Sequence, residues 1–294
     1  RDPSYPNITN PDGLCYDETT LEFIVDDTPE INPVVIAPHC DGDDGNDDRD
    51  GFDQFDTSTL TADLLGPNQS LDDYEISFLY TDEDGNLLSA PELRNPFNTK
   101  TQTVVVTLTN KLNTTCPATY NIDFVVNPLP EFTVDNATIV CLNLPPIPIG
   151  VVSADGDYSY TWTHTDLNGN NTPFPSTEDT IFIGVGGTYY VTATTTDGTN
   201  CSRTLSIEVE ESEIATITPN DISVQDLTSD NNNTITINTA NLGIGDYEFA
   251  IDDPNGPYQN EPFFENVRPG IHTIYIRDKN DCGIAQIDVS VIGY

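Results

Sequence analysis

Apolar and polar residues alternate along most of the chain in short runs, which places every second side chain on the same face of an extended strand. The runs that show this alternation are TVVVTLTN, YNIDFVVN, TYYVTATTT, TLSIEVE, TITINT, HTIYIRD and AQIDVSVIG. No stretch of helical length has the 3.6-residue period of a helix, and 22 Pro and 19 Gly separate the runs at turn positions. The pattern predicts an almost entirely β protein with little or no helix.

Four of the six cysteines begin similar segments, which indicates a tandem repeat. These segments begin at Cys15, Cys116, Cys201 and Cys282 and are therefore spaced 101, 85 and 81 residues apart. A second cysteine follows the first two after 25 residues, at Cys40 and Cys141. Because each step has the size of a small β-sandwich, we predict tandem Ig-like β-sandwich domains in an extended array. The predicted division is a terminal strand of an upstream unit (1–30), an Ig-like domain with an acidic loop (31–130), an Ig-like domain (131–213) and a third unit (214–294).

The cysteine positions favour disulfides over zinc, since no CxxC pair is present. Each complete unit has an early and a late cysteine, so we expect the bonds Cys40–Cys116 and Cys141–Cys201. Two cysteines are then expected to be free thiols: Cys15, whose unit is incomplete, and Cys282, whose unit has Asp226 where an early cysteine would stand. Disulfides indicate an oxidising, extracellular location.

The net charge of −40, from 9 basic and 49 acidic residues, excludes nucleic acid and anionic membranes as partners, because both would be repelled. No apolar run is long enough to span a bilayer, so direct membrane insertion is not expected. No signal peptide is recognisable, and the chain begins at Arg1 and contains no Met. We therefore expect a mature or excised fragment whose partners include other domains of the same long protein.

The acidic segment 41–56 is the strongest candidate for a metal site. With Gly51 as the turn glycine, Asn46, Asp48 and Asp50 occupy the first, third and fifth positions of a calcium loop. Asp56 lies one residue before the usual last ligand, and further carboxylates could complete the shell, among them Asp44 and Asp53. The pattern predicts bound calcium, and the alternative is a solvated acidic loop.

Catalysis is not indicated by any motif. His39, His164 and His272 are scattered over different units, and the chain has no HExxH, GxSxG or phosphate loop. We therefore predict that the protein is not an enzyme. The single tryptophan, Trp162, is expected to pack in a sandwich core, and the alternative is an exposed aromatic surface that stacks on sugar.

The third unit resembles a known repeat family. Residues 245–283, GDYEFAIDDPNGPYQNEPFFENVRPGIHTIYIRDKNDCG, resemble the SprB-type repeat of gliding-motility adhesins in Bacteroidota, and GGTYYVTATTTDGTNC at 186–201 is similar. The resemblance implies surface display by type IX secretion and a role in adhesion or gliding. In the same bacteria, an Asp-Ser/Thr-apolar pattern carries O-glycans, which implies Thr180 as a glycan site.

Three functional hypotheses follow from these patterns. The leading one is a non-enzymatic stalk segment of a cell-surface adhesin, with an unknown surface glycan or protein as ligand. The second is a carbohydrate-binding module array of a secreted glycan-degrading system. The third is a subunit of an extracellular filament, in which the N-terminal segment around Asn7 and Ile8 adds a strand to a neighbouring copy.

Overall fold

The computed structural model describes residues 20–21, 28–42, 49–227 and 232–293. The chain divides into two compact units, residues 1–38 with 52–126 and residues 39–51 with 127–294. The described residues are mostly β-strands, with one six-residue α-helix. Residues 1–19 and 22–27 lie outside the described part of the chain, and so do the predicted free thiol Cys15 and the strand-adding segment around Asn7 and Ile8.

The first unit contains a β-sandwich with its own core. The short strand β1 (His39–Cys40) belongs to the second unit and pairs with β8 (Val126–Asn127), where the chain passes from the first unit to the second. The sandwich of the first unit consists of β2 (Phe52–Phe55), α1 (Leu60–Leu65), β3 (Tyr74–Thr81), β4 (Leu87–Ala90), β5 (Phe97–Lys100), β6 (Gln102–Asn110) and β7 (Ala118–Phe124). One sheet has the order β4-β3-β6-β7 and the other is the pair β2-β5. Alternate residues of these strands are buried, as in Phe78, Val104 and Val106, and together they form one apolar cluster.

The second sandwich belongs to the second unit. Its strands are β9 (Phe132–Val134), β10 (Thr138–Cys141), β11 (Ile147–Ala154), β12 (Tyr158–Thr165), β13 (Asn171–Phe174), β14 (Thr180–Ile183), β15 (Gly187–Thr195) and β16 (Ser202–Ser212). The sheets have the orders β10-β16-β15-β12-β13 and β14-β11-β9, and β10 runs parallel to β16. In immunoglobulin nomenclature, β11, β12, β14, β15 and β16 correspond to strands B, C, E, F and G.

The third sandwich has the same strand order in a smaller form. Its strands are β17 (Ile222–Gln225), β18 (Asn233–Ile237), β19 (Tyr247–Ile251), β20 (Phe263–Val267), β21 (Gly270–Asp278) and β22 (Ile284–Val291). The sheets β17-β18-β20 and β19-β21-β22 correspond to A-B-E and C-F-G. They enclose a separate apolar cluster that includes Ile235, Phe249 and Ile274.

The second sandwich has two side-chain features that are typical of the immunoglobulin fold. Trp162 on strand C is 2% exposed, as predicted for a core residue, and its Nε1 donates a hydrogen bond to the Glu178 carbonyl at 2.9 Å. Tyr189 on strand F is buried, and its hydroxyl donates to the Val185 carbonyl at 3.0 Å, which forms a tyrosine corner. Val191 stands where antibody domains have the second cysteine of the inter-sheet disulfide, so apolar packing replaces that bond.

The predicted fold class is confirmed: the protein is all-β and consists of tandem Ig-like β-sandwiches. The period of two in the sequence indicates the inner face of each strand, and those faces form the three cores. The predicted domain boundaries at 30, 130 and 213 stay a prediction.

Candidate functional site

Two disulfide bonds are the most distinctive chemical feature of the described chain. They join Cys40 to Cys201 and Cys141 to Cys282, across sequence separations of 161 and 141 residues. The predicted bonds Cys40–Cys116 and Cys141–Cys201 are therefore wrong. The prediction of a free Cys282 is wrong as well, and among the described cysteines the free thiol is Cys116, which is exposed.

The length of strand G explains why the early and late cysteines of one sandwich do not pair. Cys141 lies opposite Ser212, at the end of β16, whereas Cys201 directly precedes the start of that strand at Ser202. An 11-residue strand separates the two positions by about 35 Å, and a disulfide requires Cα atoms within about 7 Å. The two cysteines therefore lie at opposite ends of the same sandwich.

The hairpin between β21 and β22 of the third sandwich brings Cys282 to the end of β16, where it meets Cys141. The amide side chain of Asn143 connects the two sandwiches at the same place. Its Nδ2 donates to the Cys282 carbonyl at 2.8 Å, and its Oδ1 accepts from the Ile214 backbone N–H at 3.0 Å. We call this group of contacts around Cys141–Cys282 the disulfide joint.

A buried carboxylate organises the disulfide joint. Asp278, at the end of β21, is 0% exposed and accepts a hydrogen bond from the Ser212 hydroxyl at 2.8 Å. It also accepts from three backbone N–H groups, those of Asn280, Cys282 and Asp246, at 3.0 to 3.3 Å. Since hydrogen bonds to a charged acceptor are stronger than neutral ones, Asp278 fixes the hairpin that presents Cys282.

Tyr247 adds a further bond beside the disulfide joint. Its hydroxyl donates to the Glu213 carbonyl at 3.1 Å. Burial, together with the negative charges of Glu213 and Asp278, raises the pKa of Tyr247 to about 12. The phenol therefore stays protonated and acts as a donor at neutral pH.

The other disulfide uses equivalent strand positions. Cys40 ends β1, which pairs with β8, the short strand after β7, as Cys141 ends β10 beside β16. Cys201 lies in the hairpin between strands F and G of its sandwich, as Cys282 does, and Cys116 occupies this position between β6 and β7. Asp226 follows β17 in the third sandwich, and its carboxylate accepts from the Ile292 backbone N–H at 3.0 Å.

The predicted calcium ligands are only partly within the described chain. Asp44, Asn46 and Asp48 lie outside it. Asp50 is exposed and Asp53 is buried, while Asp56 is exposed and has its pKa lowered by hydrogen bonds from Ser58. Within the described ranges, no group of three or more His, Cys, Asp or Glu is arranged to hold a metal ion. Calcium binding stays a prediction.

The remaining predicted positions lie apart from the disulfides. Thr180 is the exposed first residue of β14, where its modification by an O-glycan stays a prediction. The histidines at 164 and 272 make structural contacts: His164 Nε2 lies 2.9 Å from the Gly186 carbonyl, and His272 lies between Asp252 and the Arg268 carbonyl.

Strand order and disulfides together define a class of protein, the tandem Ig-like array with a disulfide between two of its sandwiches. Consistent with this, residues 38–130 match the family described as Flavobacterium inter-domain disulphide bond domain. The match covers about a third of the chain and includes Cys40, Cys116 and strands β1 to β8. No curated protein matches the sequence.

Solved structures that are similar to the chain include several Ig-domain arrays. The four N-terminal Ig domains of Dscam1 isoform 6.44 are 12% identical over 92% of this chain and 74% of that one, with a TM-score of 0.32. A 1.5-MDa bacterial ice-binding adhesin is 12% identical over 77% of this chain and 88% of that one, with a TM-score of 0.29. Sidekick-1 immunoglobulin domains 1–5 are 10% identical over 76% of this chain, which spans 52% of that structure, with a TM-score of 0.27.

Because the sequence identities are at most 12% and the TM-scores at most 0.32, the fold class rests on strand order and not on these neighbours. No helix in the described ranges has the length and apolarity needed to cross a membrane.

Proposed function

We propose that this chain is a non-enzymatic segment of an extracellular adhesin, in which disulfides between repeats make the array resistant to pulling. The observation that carries the proposal is the pair of bonds Cys40–Cys201 and Cys141–Cys282. Disulfides persist in oxidising surroundings, which supports an extracellular location. The acidic surface would keep neighbouring copies soluble and apart.

The resemblance of residues 245–283 to the SprB-type repeat supports a finer proposal. On that basis the parent protein is displayed on the cell surface by type IX secretion and serves adhesion or gliding. The match of residues 38–130 to a Flavobacterium domain is consistent with such a source. Protease treatment of intact cells tests display, because a surface segment is cleaved while the cells remain intact.

The covalent connectivity shortens the path along which a pulling force is transmitted. The two loops closed by the disulfides overlap between Cys141 and Cys201. When the chain is pulled from both ends, the shortest covalent path enters at Cys40, crosses to Cys201, returns to Cys141 and crosses to Cys282. That path contains a 60-residue stretch of backbone in place of the 242 residues from Cys40 to Cys282. In the loop-entropy treatment, closing either loop alone also contributes about 5 kcal/mol to stability.

Single-molecule pulling from the two termini tests this function. We expect the fully unfolded oxidised segment from Cys40 to Cys282 to span about 200 Å, and about 800 Å when the four bonded cysteines are serine, since an extended residue spans about 3.4 Å. A Cys116→Ser variant is the matched control and should extend like the original protein. Equal extension of the oxidised protein and the four-serine variant would contradict the proposal.

A further inference from the structure

The first sandwich has a cavity of about 290 Å³ on the inner face of its four-stranded sheet. Tyr80 on β3 lies opposite Leu88 on β4, on the same strand face as the buried Phe78. The facing sheet has only the two strands β2 and β5, and Leu88 remains 41% exposed. The cavity therefore exists because the two strands β2 and β5, which cover the rest of the core, do not cover the inner face of β4.

The floor of the cavity is apolar and well supported. Phe97 is buried, and its ring contacts Tyr80 edge to face with centroids 5.3 Å apart. Leu88 and Pro96 complete this surface. Because Phe97 also packs on Phe124 in the core, the aromatic floor is fixed by the fold and does not depend on a ligand.

The rim combines hydrogen-bond acceptors with one strong donor. Three carboxylates line it, Asp82, Glu83 and Asp84, and Glu83 Oε1 accepts from Asn98 Nδ2 at 3.2 Å. Asp82 is held by the adjoining turn, since it accepts from the Asn86 backbone N–H at 2.7 Å, and this bond lowers the pKa of Asp82.

The donor is Arg94, whose guanidinium is exposed and has no ion pair or side-chain hydrogen bond within the described part of the chain. Arg94 is one of only 9 basic residues in a chain with 49 acidic ones. The backbone of Arg94 is nevertheless fixed, because the Thr57 hydroxyl donates to its carbonyl at 2.7 Å and the Thr57 N–H donates to Asn95 at 2.9 Å. The guanidinium is thus positioned at the rim with its donors available.

We propose that this cavity binds one neutral or amino sugar residue, such as the terminal residue of a surface glycan. A carboxylate only accepts hydrogen bonds and a guanidinium only donates them, whereas each sugar hydroxyl does both. One pyranose ring can therefore satisfy both kinds of group while its C–H face packs on Tyr80 and Phe97. The volume lies at the lower limit for ligand sites, which suits a single ring.

The charges at the rim select among ligands of this size. Three carboxylates against one guanidinium repel an anionic sugar such as a uronate. A lysine side chain of a partner protein is disfavoured as the ligand, because it would leave the hydrogen-bond donors of Arg94 unused and place a second cation beside the guanidinium. The inference goes beyond the proposed adhesin function, because the disulfide-linked array resists pulling whether or not the cavity holds a ligand.

Ligand-detected NMR on the whole oxidised chain, followed by titration, tests the site. The probes are methyl glucoside, glucosamine, glucuronate and n-butylamine. We expect millimolar binding of methyl glucoside or glucosamine and none of glucuronate. Arg94→Ala should weaken sugar binding tenfold or more, since hydrogen bonds to charged groups are among the stronger ones. Glu83→Gln should weaken glucosamine binding more than methyl glucoside binding.

The matched control is Arg268→Ala, which removes the same charge from an exposed position in the third sandwich and should leave binding unchanged. Arg94→Ala removes no hydrogen bond of the folded chain, so its fold can be verified by an unchanged unfolding midpoint. The proposal is overturned if neither sugar binds, if Arg94→Ala binds as well as the original protein, or if glucuronate or n-butylamine binds better than the sugars. None of these results would change the extension under force that is expected for the disulfide-linked segment, so the two proposals are tested separately.

Discussion

At the scale of single residues, one strand position holds the earlier cysteine of each disulfide. Cys40 occupies this position beside β8, and Cys141 occupies it beside the end of β16. In the third sandwich the corresponding residue is Asp226, which instead accepts a backbone hydrogen bond from Ile292. A cysteine at this position provides a covalent link to a distant part of the chain, whereas the carboxylate of Asp226 provides a single hydrogen bond.

His272 should make stability depend on pH. Its ring nitrogens lie 2.7 Å from Asp252 Oδ2 and 2.7 Å from the Arg268 carbonyl, and both partners are acceptors, so the imidazolium fits best. Burial alone lowers the pKa of His272, but the hydrogen bonds to Asp252 and Arg268 outweigh it and raise the pKa above 6.5. The stabilisation is therefore complete below about pH 6.5 and is lost as the pH rises through the folded-state pKa.

Urea unfolding of the original protein and His272→Gln between pH 5.5 and 8.5 checks this prediction. The difference in unfolding free energy between the two proteins should be largest at low pH and shrink as the pH rises. Because both proteins share all other titrating groups, the comparison isolates the histidine. A difference that does not vary with pH would show that folding leaves the pKa of His272 unchanged, which would contradict the prediction.

At the scale of secondary-structure elements, the hairpin between strands F and G holds the later cysteine of each disulfide. Cys201 and Cys282 are both buried in these hairpins, while Cys116 is exposed in the corresponding hairpin of the first sandwich. Gly283 allows the backbone of this hairpin in the third sandwich to lie close to Ile214. Its φ is +136°, and an added Cβ would lie 3.1 Å from Ile214 Cδ1.

Asp278→Ala should weaken this hairpin strongly. The change leaves the Ser212 hydroxyl and three backbone N–H groups without their acceptor in a buried place, which costs about 3 kcal/mol of unfolding free energy or more. Urea unfolding under oxidising conditions provides the measurement. Asp288→Ala, which removes an exposed carboxylate from β22, is the control and should cost less than about 1 kcal/mol. Equal losses in the two variants would mean that Asp278 does not organise the joint.

At the scale of the whole molecule, the net charge of −40 opposes the compact state through self-repulsion. Dissolved salt screens such repulsion generally, since the Debye length is about 10 Å at 0.1 M ionic strength. A specific calcium site would add stability beyond this screening, because only the folded state would present the complete set of ligands.

Calcium chloride should raise the thermal unfolding midpoint by a few degrees, about 3 °C, more than sodium chloride of equal ionic strength. Asp48→Asn combined with Asp50→Asn should remove the additional rise in the midpoint that calcium gives over sodium. Asp84→Asn, in the separate acidic turn between β3 and β4, should retain that additional rise. Differential scanning calorimetry with and without chelator provides the midpoints. The same midpoint in both salts would favour the solvated acidic loop.

The alternation of apolar and polar residues predicted the strands and their buried faces, because the two faces of a strand differ in burial wherever a sheet covers a core. It also predicted the core position of Trp162. The disulfide pairing could not be obtained in this way, since six cysteines allow fifteen pairings. Cys282 has no second cysteine within residues 214–294, which is compatible with a bond to another sandwich as well as with the free thiol that was predicted.

The sequence by itself determined the all-β class, the tandem Ig-like organisation and the acidic surface, because these depend on local periodicity, repeat spacing and composition. Only the tertiary structure decided which cysteines meet, since strand β16 places Cys141 and Cys201 at opposite ends of one sandwich. It also decided that Tyr80, Phe97 and Arg94 share a cavity, because their proximity depends on how two sheets of unequal width face each other. Distances across strands and between sheets arise from packing, which the order of residues along the chain does not display.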